Sequence, residues 1–389
     1  KGDNYSIAYT TGLYDISNIG LQWTGISGSK DILSECHGVA HNGDIWIAAG
    51  KKGSGTTFTL AYSENGIIWN GIYNSNKLFQ GTQGAKAISW NGKLWVAVGQ
   101  GSADATVKNI AYSSDGLKWT NVTSVTPWDT AGYFNKTIAT NGKVWVSAGY
   151  PGDMGYSTDG ITWTEVTYAE GVSRLMGTSV NSIVWNGYIF LALGKDTTAQ
   201  PNTIAWSSNG IYWTGEGRSV FASPGAGRDA AWSDTLKMWV IVGDGDNSIF
   251  YSKDNVKNWV AVTNSNNIFT IAHSVNWNGH RFVATGSGNN DMAYSDDGIN
   301  GVGLGNTIFT GGSSPNGLCI ASSNRTPVVS ISHPFIATGR NNTTTHYNSL
   351  SYSIDGLSWN ITGRKLFNSA GANNYYSQLA YNGTYWIAV

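Results

Sequence analysis

The chain has 389 residues, only 12% of them charged, and a formal net charge of −1. Its 23 Lys and Arg are thinly spread and form no basic run, so a nucleic-acid groove is not expected. No apolar run approaches the ~18 residues of a membrane helix, so membrane insertion is not expected either.

The chain opens KGDNYS, with no initiator Met and no signal-peptide pattern, and this is expected to be a processed or partial start. Two motifs then alternate to the last residue. The first reads HNGDIWIAAG (41–50), WNGKLWVAVG (90–99), TNGKVWVSAG (140–149) and WNGYIFLALG (185–194). It continues as WSDTLKMWVIVG (232–243), WNGHRFVATG (277–286) and YNGTYWIAV (381–389), with a degraded copy split over LCIASSN (318–324) and PFIATG (334–339). The second motif follows it as YSENGIIW (62–69), YSSDGLKW (112–119), YSTDGITW (156–163), WSSNGIYW (206–213) and YSIDGLSW (352–359). Three copies of the second are altered. YSKDNVKNW (251–259) gains a residue, YSDDGIN (294–300) loses its Trp, and GLQWTGI (20–26) ends a damaged N-terminal copy that starts at Tyr9.

Both motifs predict β-hairpins. Asn-Gly and Asp-Gly between short alternating apolar runs predict type I′ turns, in which both central residues take positive φ. The period is about 49 residues, and four strands per period predict an all-β fold, a β-propeller of eight four-stranded antiparallel blades. The chain begins with the second hairpin of a unit and ends with the first hairpin of another. Residues 5–26 and 376–389 are therefore expected to share one composite blade that closes the ring, with seven further blades between 37 and 362, in a single domain over 1–389.

Within the second motif the Asp or Asn oxygen is expected to accept amides of its own turn, with the Ser hydroxyl adding a bond. The Trp is expected to wedge between blades. These structural positions are Ser63, Asn65 and Trp69; Ser113, Asp115 and Trp119; Ser157, Asp159 and Trp163; Ser207, Asn209 and Trp213; and Ser353, Asp355 and Trp359. Ser-x-Asp-Gly-x-x-Trp resembles the Asp-box, or BNR repeat, of sialidase-like propellers, whose usual form Ser-x-Asp-x-Gly-x-Thr-Trp is one residue longer. The resemblance covers nearly the whole chain. It implies that the box joins the third and fourth strands of a blade, on the face away from the catalytic site, and takes no part in catalysis.

Function in such a fold is expected at the opposite mouth, in loops entering the innermost strand. Trp128, the one Trp outside the repeats, lies in such a stretch with Tyr133 and Phe134. Arg174, Arg228, Asp229, Tyr375 and Tyr376, and Glu35 with His37, occupy comparable stretches. Aromatic rings beside Arg, Asp and Asn suit sugar binding. The ligand-binding candidates are Trp128, Tyr133, Arg174, Arg228, Asp229, Tyr375 and Tyr376. The resemblance also implies what a sialidase needs, an Arg triad with one member in an Arg-Ile-Pro motif near the N-terminus. Here no Arg precedes Arg174 and no such motif exists; Arg174, Arg228 and Arg340 are what is available. A glycosidase of another kind needs two carboxylates, and Asp129 with Asp229 is one pair to weigh. GDGDNS (243–248) makes Asp244 and Asp246 a weak Ca²⁺ candidate without the bidentate Glu of an EF-hand loop. Cys36 and Cys319 fit no metal or redox motif and read as buried thiols.

The sequence is thus read as a non-catalytic recognition or structural module without a cofactor. Low charge and abundant Gly, Asn, Ser and Thr resemble the heads of viral and phage fibres and extracellular adhesins. Expected partners are a glycan or a surface protein, and possible neighbouring virion proteins. A glycoside hydrolase of sialidase-like architecture is the alternative.

Overall fold

The structure, a computed structural model, describes residues 5–11, 23–102 except 54 and 56, 108–124, 132–197 except 167 and 169–174, 200–309 except 201, 218, 219, 223, 254, 255 and 257, 316–322, 335–340, 350–361 and 378–389. They fall in two compact units. Unit I spans residues 26–219, and unit II spans residues 1–25 with 220–388.

One pattern repeats in both. Ala85–Trp90, Trp95–Gly99, Ile110–Ser113 and Thr120–Asn121 pair in chain order as a four-stranded antiparallel sheet. In unit I the pattern is led by first strands Leu33–His41, Ala85–Trp90, Phe134–Thr140 and Ser179–Trp185. In unit II it is led by Ala226–Ser233, Ile271–Trp277 and Asn316–Ser322. Unit II holds one more sheet, built from both ends of the chain: Leu379–Tyr381, Tyr385–Ala388, Ala8–Thr11 and Thr24–Gly25. Its central pairing runs from Ala8↔Ala388 to Thr11↔Tyr385. Among the described residues no helix is long and apolar enough to cross a membrane.

Second strands such as Trp95–Gly99 are buried at every position, which is why their sequence is continuously apolar rather than alternating. First strands alternate less cleanly because each carries an extra residue. Pairing skips one residue between Cys36 and Gly38, Ala85 and Ala87, Asn135 and Thr137, and Val180 and Ser182. It does so again between Gly227 and Asp229, Ala272 and Ser274, and Gly317 and Cys319. A β-bulge therefore recurs at one register position. It pushes the first-strand backbone against the second strand, and the glycine ending WVAVG meets this constraint. A Cβ on Gly99 would stand 2.2 Å from the Gly84 carbonyl oxygen.

The turns differ from the expected type I′. Of the Asn-Gly and Asp-Gly pairs, only the glycines take positive φ, as at Gly92 (97°) and Gly116 (77°). The preceding Asn or Asp makes the turn with its side chain instead. Asn91 Oδ1 accepts the amides of Lys93 (3.0 Å) and Leu94 (2.8 Å), and Asp115 Oδ1 accepts those of Leu117 and Lys118 (2.8 Å each). Such side-chain capping of the following amides lets the Asx residue keep ordinary negative φ. The Ser113 hydroxyl donates to Asp115 Oδ1 (3.0 Å) and accepts the Gly116 amide (2.8 Å), while the Trp119 indole donates to the Gly116 carbonyl (2.7 Å). The boxes at Ser63, Ser157, Ser207 and Ser353 repeat this network.

The folded-back indoles then fill the space between sheets. Trp163 packs with Val96, Val98, Ile110 and Val122 of the preceding sheet and Trp145 of its own. Trp119 packs among Ile47, Ala49 and Trp95, and Trp213 among Val146, Ala148 and Phe190.

These contacts make three expectations measurable by urea or thermal unfolding. Gly116→Ala should cost ~2–4 kcal/mol, because a Cβ there meets Ile45 Cδ1 at 2.6 Å in a positive-φ turn. Asp115→Asn should be nearly neutral at pH 7, since Asn65 and Asn209 already do this job, whereas Asp115→Ala should cost ~1 kcal/mol. At Asp297, burial pushes the pKa up, but the amides of Asn300 and Ile299 outweigh it and hold the carboxyl at about 2. This depressed value contributes stability above pH ~4 that is lost as pH falls through 2, so Asp297→Asn should reduce that acid loss.

Candidate functional site

The bulge residues are His37, Lys86, Lys136 and Asn181 in unit I, and Arg228, His273 and Leu318 in unit II. Six of the seven are polar, at a position where an ordinary strand would turn an apolar residue inward. In unit I the first strands lie side by side, so their bulge residues form a row.

That row is an ionic cluster. Lys51 Nζ lies 2.9 Å from Glu35 Oε2, and His37 Nε2 lies 3.3 Å from the same oxygen. His37 Nδ1 lies 2.9 Å from the Ala85 carbonyl oxygen. Lys136 Nζ donates to Asn181 Oδ1 at 2.8 Å, and the Ser179 hydroxyl donates to the same oxygen at 3.1 Å. The His37 hydrogen bond, helped by Lys51, holds Glu35 down at about 2 against the burial that would raise it. His37 is 8% exposed, and burial lowers its pKa, with the charge of Lys86 adding to the effect. Lys86 is 5% exposed. Burial first, then repulsion from Lys51 and Lys136, brings its ammonium down to about 7 against the attraction of Glu35. The cluster thus holds a carboxylate kept ionised at neutral pH and one amine that changes charge near neutrality.

In unit II, Arg228 Nε lies 3.4 Å from Asp244 Oδ1. Asp229 Oδ2 accepts the Ser274 hydroxyl (2.7 Å) and the Val275 amide (3.2 Å), tying two sheets together. Burial, then the charge of Arg228, lowers His273 to about 4.

The sequence candidates divide accordingly. Arg228 and Asp229, and Glu35 with His37, were expected in loops and lie within first strands. The bulge residue breaks their alternation and makes them read as irregular. Tyr133 is half-buried just ahead of Phe134–Thr140, its ring 6.3 Å from Tyr150 in an edge-on arrangement. Trp128, Arg174, Tyr375, Tyr376 and Asp129 lie outside the described residues, as does the side chain of Arg340. Asp244 accepts the Ala226 amide (3.0 Å) besides Arg228, and Asn266 Nδ2 donates to the Asp246 carbonyl oxygen (2.8 Å). Among the described residues no group of three or more His, Cys, Asp or Glu is placed to hold a metal. The sequence reading missed Lys51, Lys86, Lys136 and Asn181. A signal existed: His37, Lys86, Lys136, Asn181 and His273 each stand five residues before the Asn of an Asn-Gly turn.

The repeating four-stranded sheets define a β-propeller. Residues 63–299 match the DUF6242 beta propeller domain, and the chain belongs to that family. No curated protein sequence matches it. Among solved structures it is similar to the computationally designed Ika8 protein, at 12% identity over 93% of this chain and 97% of that one, with a TM-score of 0.55. It is also similar to YCF48 bound to D1 peptide, at 16% identity over 76% and 88% of the two chains with a TM-score of 0.47. A third is the GH74 enzyme of Niastella koreensis, at 13% identity over 95% and 69% with a TM-score of 0.42. At these identities the likeness concerns the fold alone.

Holding a buried amine half-charged opposes stability. Lys86→Met should raise the unfolding free energy by ~1–3 kcal/mol at pH 6. The folded pKa lies below the unfolded one, so the burial penalty is complete below pH 7 and is relieved as pH rises toward 10.5. The gain should therefore shrink at pH 9 in paired urea titrations.

Proposed function

We propose that this chain is a non-catalytic recognition module exposed outside a cell or on a virion, binding a glycan or a surface protein. In this reading it is an eight-bladed propeller with Asp-box turns of the sialidase-like kind. The sheet shared by the two chain ends closes its ring. The ligand lies along the first strands and their adjoining loops, where Trp128, Tyr375 and Tyr376 supply stacking surfaces.

The observation that carries the reading is the bulge row. Lys86, Lys136, His37 and Asn181 set polar groups at one register position on rigid strands, and such fixed polar groups are what a binding site is built on. The same row argues against hydrolysis. A glycosidase needs a carboxylic acid held protonated near neutrality, and Glu35 is held ionised at about 2. Asp291 is raised to about 6 by burial, but it has no exposed surface and accepts the amides of Ile308 (3.1 Å) and Phe309 (2.7 Å). It serves the fold.

A glycan array probed at pH 6 and pH 8, read for retention and for cleavage, tests this. Retention of acidic glycans without cleavage is expected, weakening several-fold at pH 8 as Lys86 loses its proton. Lys86→Met with Lys136→Met should abolish retention while leaving the far-ultraviolet spectrum unchanged. Cleavage, or retention indifferent to the double substitution, overturns the proposal.

A further inference from the structure

Lys86 stands in the middle of the unit I row, with more cations than anions around it. It is the bulge residue of Ala85–Trp90, and the first strands Leu33–His41 and Phe134–Thr140 both pack against that strand. Leu33–His41 brings Glu35 and His37, and its neighbour Trp46–Lys52 brings Lys51. His37 Nδ1 lies 2.9 Å from the carbonyl oxygen of Ala85, the residue next to Lys86. Its Nε2 lies 3.3 Å from Glu35 Oε2, and Lys51 Nζ lies 2.9 Å from the same oxygen. Phe134–Thr140 brings Lys136, whose Nζ donates to Asn181 Oδ1 at 2.8 Å.

An ammonium is poorly matched at this place. A protonated Lys86 makes three cations with Lys51 and Lys136 against the single carboxylate of Glu35, which Lys51 already engages. His37 supplies no anion, and burial opposes its charging. Buried charge is tolerated where it is paired, so the surroundings favour the neutral amine. Burial and the two lysine charges bring Lys86 down to about 7, and an amine so activated is a nucleophile at neutral pH. Lys86 is 5% exposed, which suits a small uncharged electrophile. The charge left over sets the sign of a suitable product: Lys51, Lys136 and Glu35 still have one positive charge unanswered, so the product should be an anion.

We infer that Lys86 is a carbon dioxide-binding residue, its Nζ forming a carbamate among Lys51, Lys136 and Glu35. The lone pair of the neutral amine attacks the carbon of CO2. A C–N bond forms, one C=O π pair moves onto oxygen, and a proton leaves the nitrogen for water. Nothing is oxidised or reduced. The product carries a negative charge where the ammonium carried a positive one, and with it Lys51, Lys136, Glu35 and Lys86 sum to zero. The adduct involves no glycan, so a chain that retains none can still form it, and the two readings fail separately.

Carbon-13 NMR of the full chain equilibrated with labelled bicarbonate tests the inference. A carbamate resonance distinct from CO2 and bicarbonate is expected at pH 8, falling roughly tenfold or more at pH 6 at equal dissolved CO2. Lys86→Arg keeps a cation without the reactive amine and should abolish that resonance. Should that variant fail to fold, Lys86→Met removes the amine likewise. Lys143→Arg, in an exposed turn, should leave the resonance unchanged. Lys136→Met should lower its intensity several-fold, because the carbamate loses a facing cation. The inference is overturned by the absence of a protein-bound resonance or by its survival in a folded Lys86 variant. It is overturned equally by loss in Lys143→Arg or by indifference to Lys136→Met.

Discussion

Each repeat depends on one short turn in which a single side-chain oxygen does what a backbone carbonyl does elsewhere. Asp115 or its equivalent takes two amides, the neighbouring Ser takes a third, and the glycine supplies the one positive φ. The freed glycine carbonyl then receives the indole of the residue that ends the box. Turn and inter-sheet core are therefore one device: the hydrogen bond that completes the turn also aims the largest apolar side chain into the gap between sheets. With few charges available, this is how a chain rich in small polar residues acquires a dense interior.

The bulge in the first strand is the complementary feature. It is structurally fixed, because the glycine ending each second strand leaves room for the displaced backbone. Its side chain is left free to vary: His, Lys, Lys, Asn, Arg, His and Leu occupy the position in successive sheets. Constancy of the backbone with variety in the side chain is what a recognition surface on a repeated scaffold requires. The buried charge of Lys86 opposes folding, and Glu35 offsets only part of that cost.

Much of the fold was legible from periodicity. Four strands per repeat follow from two kinds of hairpin signal spaced evenly, and the shared sheet at the chain ends follows from the register in which the repeats begin and stop. The turn type was misread because Asn-Gly predicts backbone geometry, whereas Asn91 and Asp115 act through their side chains. The site was less legible. GAKAISW reads as an alternating strand with an outward lysine, and nothing local announces that Lys86 is the extra residue of a bulge. Only the alignment of the repeats shows a polar column there.

The sheet formed by Ala8–Thr11 and Tyr385–Ala388 has a kinetic consequence. Its central ladder joins segments far apart in the sequence, so it forms only after Tyr385–Ala388 has been synthesised. Until then the strand Ala8–Thr11 waits without its partner, a bare edge of the kind other chains can capture. Bringing the two ends together costs loop-closure entropy that grows only as the logarithm of the intervening length. Removal of Tyr385–Ala388 would take away the strand that receives Ala8–Thr11, and a segment made early in synthesis would be left with one edge unpaired.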